Sequence, residues 1–219
     1  ILASDGSHSM SGAYQYVRGG RTLRNDGQLA VGSATNDVKL YMDGSSGSVA
    51  KTRLVNQGEL VFQGTRSTYV LRDQGNPDAE LENNGKLIKR DSGYTQINTR
   101  VSNTNQILVD GGVLNLGGNV VNSGSLQVGN GATLQFAGSS SHSATASLSN
   151  GAGMVVLSGG THSFADGFND FGSGLTDLQS GALEVNSGSA QLGRMKVAGT
   201  IQGSGNLSIA NAAINGGTM

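Results

Sequence analysis

Apolar residues along this chain fall at alternating positions in short runs, each opened by a glycine or an Asn-Gly step and closed by another turn residue. The runs read Asp26-Gly27-Gln28-Leu29-Ala30-Val31, Asn56-Gln57-Gly58-Glu59-Leu60-Val61-Phe62, Asn84-Gly85-Lys86-Leu87-Ile88 and Gly112-Val113-Leu114-Asn115-Leu116. They continue as Gly124-Ser125-Leu126-Gln127-Val128, Gly131-Ala132-Thr133-Leu134-Gln135-Phe136, Gly181-Ala182-Leu183-Glu184-Val185 and Gly205-Asn206-Leu207-Ser208-Ile209. Period two over so short a run predicts a strand with one buried face. The glycines and asparagines between runs supply positive φ cheaply and predict sharp turns. No window carries an i, i+3, i+4, i+7 apolar stripe, so the chain is expected to be all β.

Comparable runs recur at roughly twenty to thirty residues, the period of coils stacked along an axis. A β-sandwich competes, because short strands with frequent turns suit it as well. Its weak point is the supply of large core residues: aromatics are only 5% of the chain. The favoured fold is therefore a right-handed parallel β-solenoid. Alternation places Leu114, Leu116, Leu126, Val128, Leu134 and Phe136 inside. Asn122, Asn150 and Asn186 precede glycine corners and are expected to stack as an amide ladder.

Composition narrows the chemistry. Among 219 residues there are 36 glycines, the single proline Pro77, no cysteine and no tryptophan. The absence of cysteine excludes a disulfide framework, a thiolate metal cage and a cysteine nucleophile. No apolar run approaches the length of a membrane helix, and a net charge of −1 gives no electrostatic footprint for nucleic acid. Charge is uneven: 12 of the 14 Lys and Arg, and 11 of the 15 Asp and Glu, precede residue 111. All five tyrosines, Tyr14, Tyr16, Tyr41, Tyr69 and Tyr94, lie there too. The expected organisation is one solenoid segment over 1–219, with charged, longer-looped coils in 1–110 and tighter Gly/Asn-rich coils in 111–219. The chain opens on Ile1 without a signal peptide and ends on Asn215-Gly216-Gly217-Thr218-Met219, which reads as the start of another strand unit. That predicts a fragment of a longer repetitive protein, without a clear C-terminal cap.

The stretch NNGKLIKRDSGYTQINTRVSNTNQILVDGGVLNLGG from Asn83 and SGSLQVGNGATLQFAG from Ser123 resemble repeat modules of very large exported bacterial proteins. These are the autotransporter-like and filamentous-haemagglutinin-like adhesins. SGGTHSF from Ser158 and GSGNLSIANAAINGGTM from Gly203 fit the same style, so the resemblance covers most of residues 20–219. It implies a right-handed β-solenoid outside the cell or on its surface, serving as a stalk or adhesive shaft. It lends no catalytic residue, and it names no cofactor. Host or neighbouring-cell glycans, or further copies of the chain, are the expected partners; nucleic acid and membrane insertion are not.

Each candidate for chemistry has a plainer reading. The pairs Gly111-Gly112, Gly117-Gly118 and Gly159-Gly160 lack the aspartate of a calcium repeat and read as corners. Gly203-Ser204-Gly205 precedes a strand rather than a helix, so it cannot cradle phosphate at a helix N-terminus. His8, His142 and His162 are far apart in sequence and read as solvated turn residues, although stacking could bring His142 to His162. For glycan processing two carboxylates must flank the bond. Two groups offer acids: Asp73, Asp78, Glu80 and Glu82 near Arg66, Tyr69 and Arg72, and Asp166, Asp170 and Asp177 on a loop with Phe164, Phe168 and Phe171. The plainer reading is solvated acids and phenylalanines covering the core. Lys86, Lys89, Arg90 and Asp91 form the densest charge group, read as a solvated edge or a contact for an acidic polymer. Candidate ligand contacts are thus Tyr69, Arg72, Lys86, Lys89, Asp166 and Asp170, on a chain expected to be noncatalytic.

Overall fold

A computed structural model describes residues 6–43, 51–72, 79–170 and 172–214. Among the described residues there is no helix, and neighbouring strands pair in parallel. The chain winds as a parallel β-solenoid of about nine turns. One turn lays down Lys86–Lys89 on a first face, Tyr94–Ile97 on a second and Arg100–Asn103 on a third. It then returns with Gln106–Val109 on top of Lys86–Lys89, Leu87 opposite Ile107 and Lys89 opposite Val109. The third face is a separate nine-stranded sheet. The first and second belong to one eighteen-stranded sheet, joined where the long strands Ser189–Val197 and Asn206–Ile214 run from one face onto the next. At the usual strand spacing, nine turns make a stack roughly 40 Å long.

Because the coils stack without a register shift, each inward position becomes a column. Leu29, Leu60, Leu87, Ile107, Leu126 and Leu148 form one on the first face. Leu116, Phe136, Leu157, Leu178 and Val197 form another on the second. All of these are buried, and so are Leu114, Val128 and Leu134, as alternation predicts. Burying such side chains at about 1.5–3 kcal/mol each is what holds the coils together.

The corners need glycine for closeness as well as for dihedral freedom. A Cβ on Gly58 would collide with the carbonyl oxygen of Gly27, one on Gly85 with that of Gly58, and one on Gly124 with that of Asn105. None of these three has positive φ. The recurrent glycine therefore lets one coil sit directly on the last. Corners elsewhere absorb length: successive third-face coils are 31, 27, 20 and 19 residues apart.

An amide ladder is present, but at other residues than Asn150 and Asn186. Asn25, Asn56, Asn83, Asn103 and Asn122 stand in register at the inward end of the third-face strands, all of them buried. Each Nδ2 donates to the Oδ1 of the next, at 2.7, 2.7, 2.6 and 2.7 Å. In the earlier coils the same Nδ2 also donates to a backbone carbonyl of the following coil: Glu59 for Asn25, Lys86 for Asn56 and Gln106 for Asn83, at 3.0, 2.9 and 2.9 Å. Asn186 has the same Asn-x-Gly spacing, yet it is exposed because Val185 occupies the inward position beside it. Asn150 is fully buried on another corner, following the first-face strand Ser147–Ser149, and its amide has no hydrogen-bond partner.

The stretch expected to be a loop, 164–178, is an ordinary coil. Asn169–Asp170 pairs with the first face and Leu175–Leu178 with the second. Phe164 and Phe168 cover core as expected, and Phe171 lies outside the described residues. Replacing Asn83 by Ala removes one acceptor and two donor bonds, leaves the Asn103 Oδ1 without its ladder donor and leaves the Asn56 Nδ2 with the Lys86 carbonyl alone. We expect a loss of about 2–4 kcal/mol in denaturant unfolding. Asn186→Ala should stay within about 0.5 kcal/mol of the parent, since its side chain is solvated.

Candidate functional site

All five tyrosines project from the outer side of the second face. Tyr14 and Tyr16 stand on the strand Tyr14–Arg18, Tyr41 on Val38–Asp43, Tyr69 on Thr68–Arg72 and Tyr94 on Tyr94–Ile97, in successive coils. Strand alternation sends their neighbours Val38, Leu40, Met42, Val70 and Ile97 inward, which leaves the rings outside. Tyr14 is 58% exposed and Tyr16 49%, the largest exposed aromatics among the described residues. The Tyr16 and Tyr41 rings stack at 5.3 Å, Tyr14 and Tyr41 at 6.4 Å, both within 15° of parallel. The Arg18 guanidinium lies 4.0 Å above the Tyr16 ring and the Lys39 ammonium 5.6 Å from that of Tyr14. Further along, Tyr69 and Tyr94 tilt against each other at 6.4 Å, and the Asn115 amide donates to the Tyr94 hydroxyl at 2.6 Å. The result is a rigid aromatic strip bracketed by cations at its exposed end.

The other sequence candidates scatter. Tyr69 belongs to the strip. The Arg72 backbone ends the same strand, and its side chain, like Asp73, Pro77 and Asp78, lies outside the described residues. Lys86 is exposed on the first face, 3.7 Å from Glu59. Glu80 and Glu82 face outward on the third face, paired with Arg100 at 3.4 Å and Arg53 at 3.1 Å. Asp166 is exposed at a corner and accepts the Ser189 amide at 2.8 Å.

Two candidates require correction, because they are buried rather than solvated. Lys89 is 1% exposed; it occupies the inward column between Phe62 and Val109, and its ammonium donates to the Arg90 carbonyl and, at 2.9 Å, to that of Asp91. Burial lowers its pKa, opposed by the Asp91 charge. Asp170 stands in the aliphatic column next to Leu148, and Asp177 is buried on the second face, 3.9 Å from Lys196. Asp170 turns to the corner and accepts the Gly172 amide at 2.9 Å. Burial raises its pKa, against the pull of the Gly172 and Gly193 amides. The carboxylates of 166–177 therefore point three ways and share no cleft.

The histidines depart furthest from expectation. His142 and His162 are buried, at 3% and 0% exposure, and they are joined through Ser140. His142 follows Asn122 in the ladder column, its Nδ1 3.3 Å from the Asn122 Nδ2. Its Nε2 lies 3.0 Å from the Ser140 Oγ, which lies 2.9 Å from the His162 Nδ1. The ring stacks on Phe164 at 4.8 Å and meets the edge of Phe136 and the tilted face of Phe168 at 5.4 and 5.5 Å. Burial pushes His142 down to about 3, with His162 adding to the effect, and His162 down to about 4. Stacking brings the pair together as the sequence allowed, but buried where solvated turn residues were expected. The signal that finds it is column register, Ser140 opposite His162 and His142 opposite Phe164.

No protein family, characterised protein or solved structure was found to match this chain. Among the described residues no group of three or more His, Cys, Asp and Glu could hold a metal ion, and no helix is long and apolar enough to cross a membrane.

The raised pKa of Asp170 means that the fold prefers the neutral carboxyl. That contribution is present below the ordinary value of 3.8 and is lost as pH rises through the raised one. Asp170→Asn keeps an acceptor for Gly172 without the charge. It should raise the melting temperature at pH 7 by about 2–5 °C, with the gain vanishing below pH ~3.8, as followed by thermal melts across pH.

Proposed function

We propose that this chain is a noncatalytic shaft segment of a secreted or cell-surface bacterial protein, and that its second face contacts glycans of a host or neighbouring cell. The observation that carries the reading is the display of all five tyrosines along one outer face of an axially hydrogen-bonded stack. A stacked coil is stiff along its axis, since each turn bonds to the next through a parallel ladder. Exposed rings in a fixed row offer apolar faces to sugar rings at little conformational cost, because the scaffold already orders them. Arg18 and Lys39 add charge at the open end of the row. The resemblance of the repeats to exported adhesins favours the same role. Self-association through this face is the rival occupant, and a solenoid polysaccharide lyase or hydrolase is the rival class.

Tyr14→Ala with Tyr16→Ala should weaken retention on the immobilised polysaccharide or cell type that binds the parent by at least about tenfold. Melting should barely change, because both rings are largely solvated. A parent that binds no glycan but sediments as an oligomer dissociated by the same substitutions would move the face to self-association. Release of reducing ends or unsaturated sugars from a polysaccharide panel would overturn the noncatalytic reading.

A further inference from the structure

The hydrogen bonds of the ladder all run one way. From Asn25 onward each Nδ2 donates toward the following coil, so the Asn122 Oδ1 is taken by Asn103 and its Nδ2 must donate. The His142 Nδ1 opposite it is therefore the unprotonated nitrogen, and the ring proton sits on Nε2 and points at Ser140. The Ser140 hydroxyl in turn donates to the His162 Nδ1. His162 then carries its proton on Nε2, which has no well-formed hydrogen bond, although the Gly159 backbone weakly favours its charged form. At the other end the Asn25 Oδ1 is left without a donor. The chain begins on an orphan acceptor and ends on an orphan donor, and every link between has one polarity.

We propose that this chain of bonds is an acid-sensitive joint: proton uptake at His142 and His162 opens the coils around Ser140–Phe164, while the asparagine-laddered coils before them stay closed. A second proton on His142 would have to sit on Nδ1, directly against the Asn122 NH₂. Turning that amide over would set its NH₂ against the NH₂ of Asn103, so the reversal would have to run back to Asn25. The rings are poorly placed to be hydrated where they stand: the internal void beside His142, of about 10 Å³, is walled mostly by apolar side chains such as Phe136, Phe164 and Phe168, which offer a water few hydrogen-bond partners.

No charge in reach offsets the proton. Around His142 stand Asn122 from the coil before, Phe164 from the coil after, Ser140 on its own strand, and Phe136 and Phe168 across the core. Around His162 stand Ser140, Phe136 and the next residue of its column, Leu183. Among the described residues the only titratable group facing either histidine is the other one, and the Asp170 carboxylate is turned to the corner amides. Water is close on the outside, however. A surface groove of about 390 Å³, walled by residues such as Ser123, Ser141, Ser163 and Asn186, reaches down to Asn122, His142 and Phe164.

The sign follows from linkage. Both imidazoles are depressed, to about 3 and about 4, against an ordinary 6.5 once exposed. The closed form has its full stability above pH 6.5 and loses it as pH falls from there toward the folded values. Between pH 7 and 4.5 the two groups together favour opening by on the order of a thousandfold.

The test is hydrogen–deuterium exchange of the parent protein at pH 7.0 and 4.5, corrected for intrinsic rates and read by mass spectrometry. Peptides covering Ser140–His142 and Thr161–Phe164 should gain more than about 100-fold in opening, and those covering Glu80–Asn83 and Arg100–Asn103 less than about threefold. Equal changes in both regions, or none in either, would overturn the joint. In His142→Asn with His162→Leu an amide continues the ladder and a leucine rejoins the column of Val120 and Leu183. That variant should lose the acid response. Should it not fold, nitrogen-resolved NMR of the parent decides: His142 should show the Nε2–H tautomer at pH 7. Titration of either ring near 6.5 without added exchange would sink the proposal.

Discussion

In a solenoid whose coils pair in parallel and without a shift, every inward side chain is forced to meet the residue at the same place in the turn above and the turn below. Leu114 meets Leu134 and Leu134 meets Val155, whatever else each touches across the core. An apolar column satisfies this trivially. A polar column satisfies it only if each member can give to one neighbour and take from the other, which a carboxamide can do and a carboxylate or ammonium cannot. That constraint explains the asparagines at Asn25 to Asn122. It also explains why the isolated inward charges Lys89 and Asp170 bend away from their columns to reach backbone groups at the corners. Where the third-face column changes from amide to aromatic, the polar thread must leave it. It crosses through His142 and Ser140 to His162, in the neighbouring column that is otherwise Leu54, Leu81, Val101, Val120 and Leu183.

The outside of the prism is freer, and its three sides have diverged. The third carries cross-coil ion pairs, Arg53 with Glu82 and Arg100 with Glu80, and the first has Lys86 beside Glu59. Partly solvated pairs of this kind add little stability and chiefly keep those sides polar. Among the described residues only the second side carries rings at outward positions, with Val113, Thr133, Met154 and Leu175 following Tyr94 in the same outward column.

Much of this was legible in the sequence. Alternation alone places Leu126, Val128 and Phe136 inside, and the recurrence of the runs gives the stacked architecture. What alternation cannot give is the column, because coil lengths change between turns and the eye loses register. Asn186 satisfies the local spacing but not the column; Asn83 shares its corner with Asn84, and only the column tells which of the two turns inward. Alternation in Lys86–Lys89 puts Lys89 on the same side as Leu87, but a lysine reads as solvated because it is rarely buried; the corner carbonyls of Arg90 and Asp91 that hold it are absent from any strand pattern. His142 and His162 looked solvated for the reason that every local neighbour is small and polar, whereas their real surroundings come from strands a full turn away. The sequence places all five tyrosines in the first half; that they share one side is a consequence of register.

Like-on-like columns also bear on how such a chain can change over generations. The Asn83-to-Asn103 and Asn103-to-Asn122 coils present matching upper and lower surfaces, leucine or valine beside asparagine. A gene segment encoding one of them could be copied or dropped in frame, and the coils on either side would still find their own kind across the new boundary. Length would then be a heritable trait adjusted by recombination in steps of one coil, without a single new core contact having to be invented. The coils at the Ser140–His142 crossing have no such interchangeable surfaces, so this is where copying should stall and where the number of turns should be held constant.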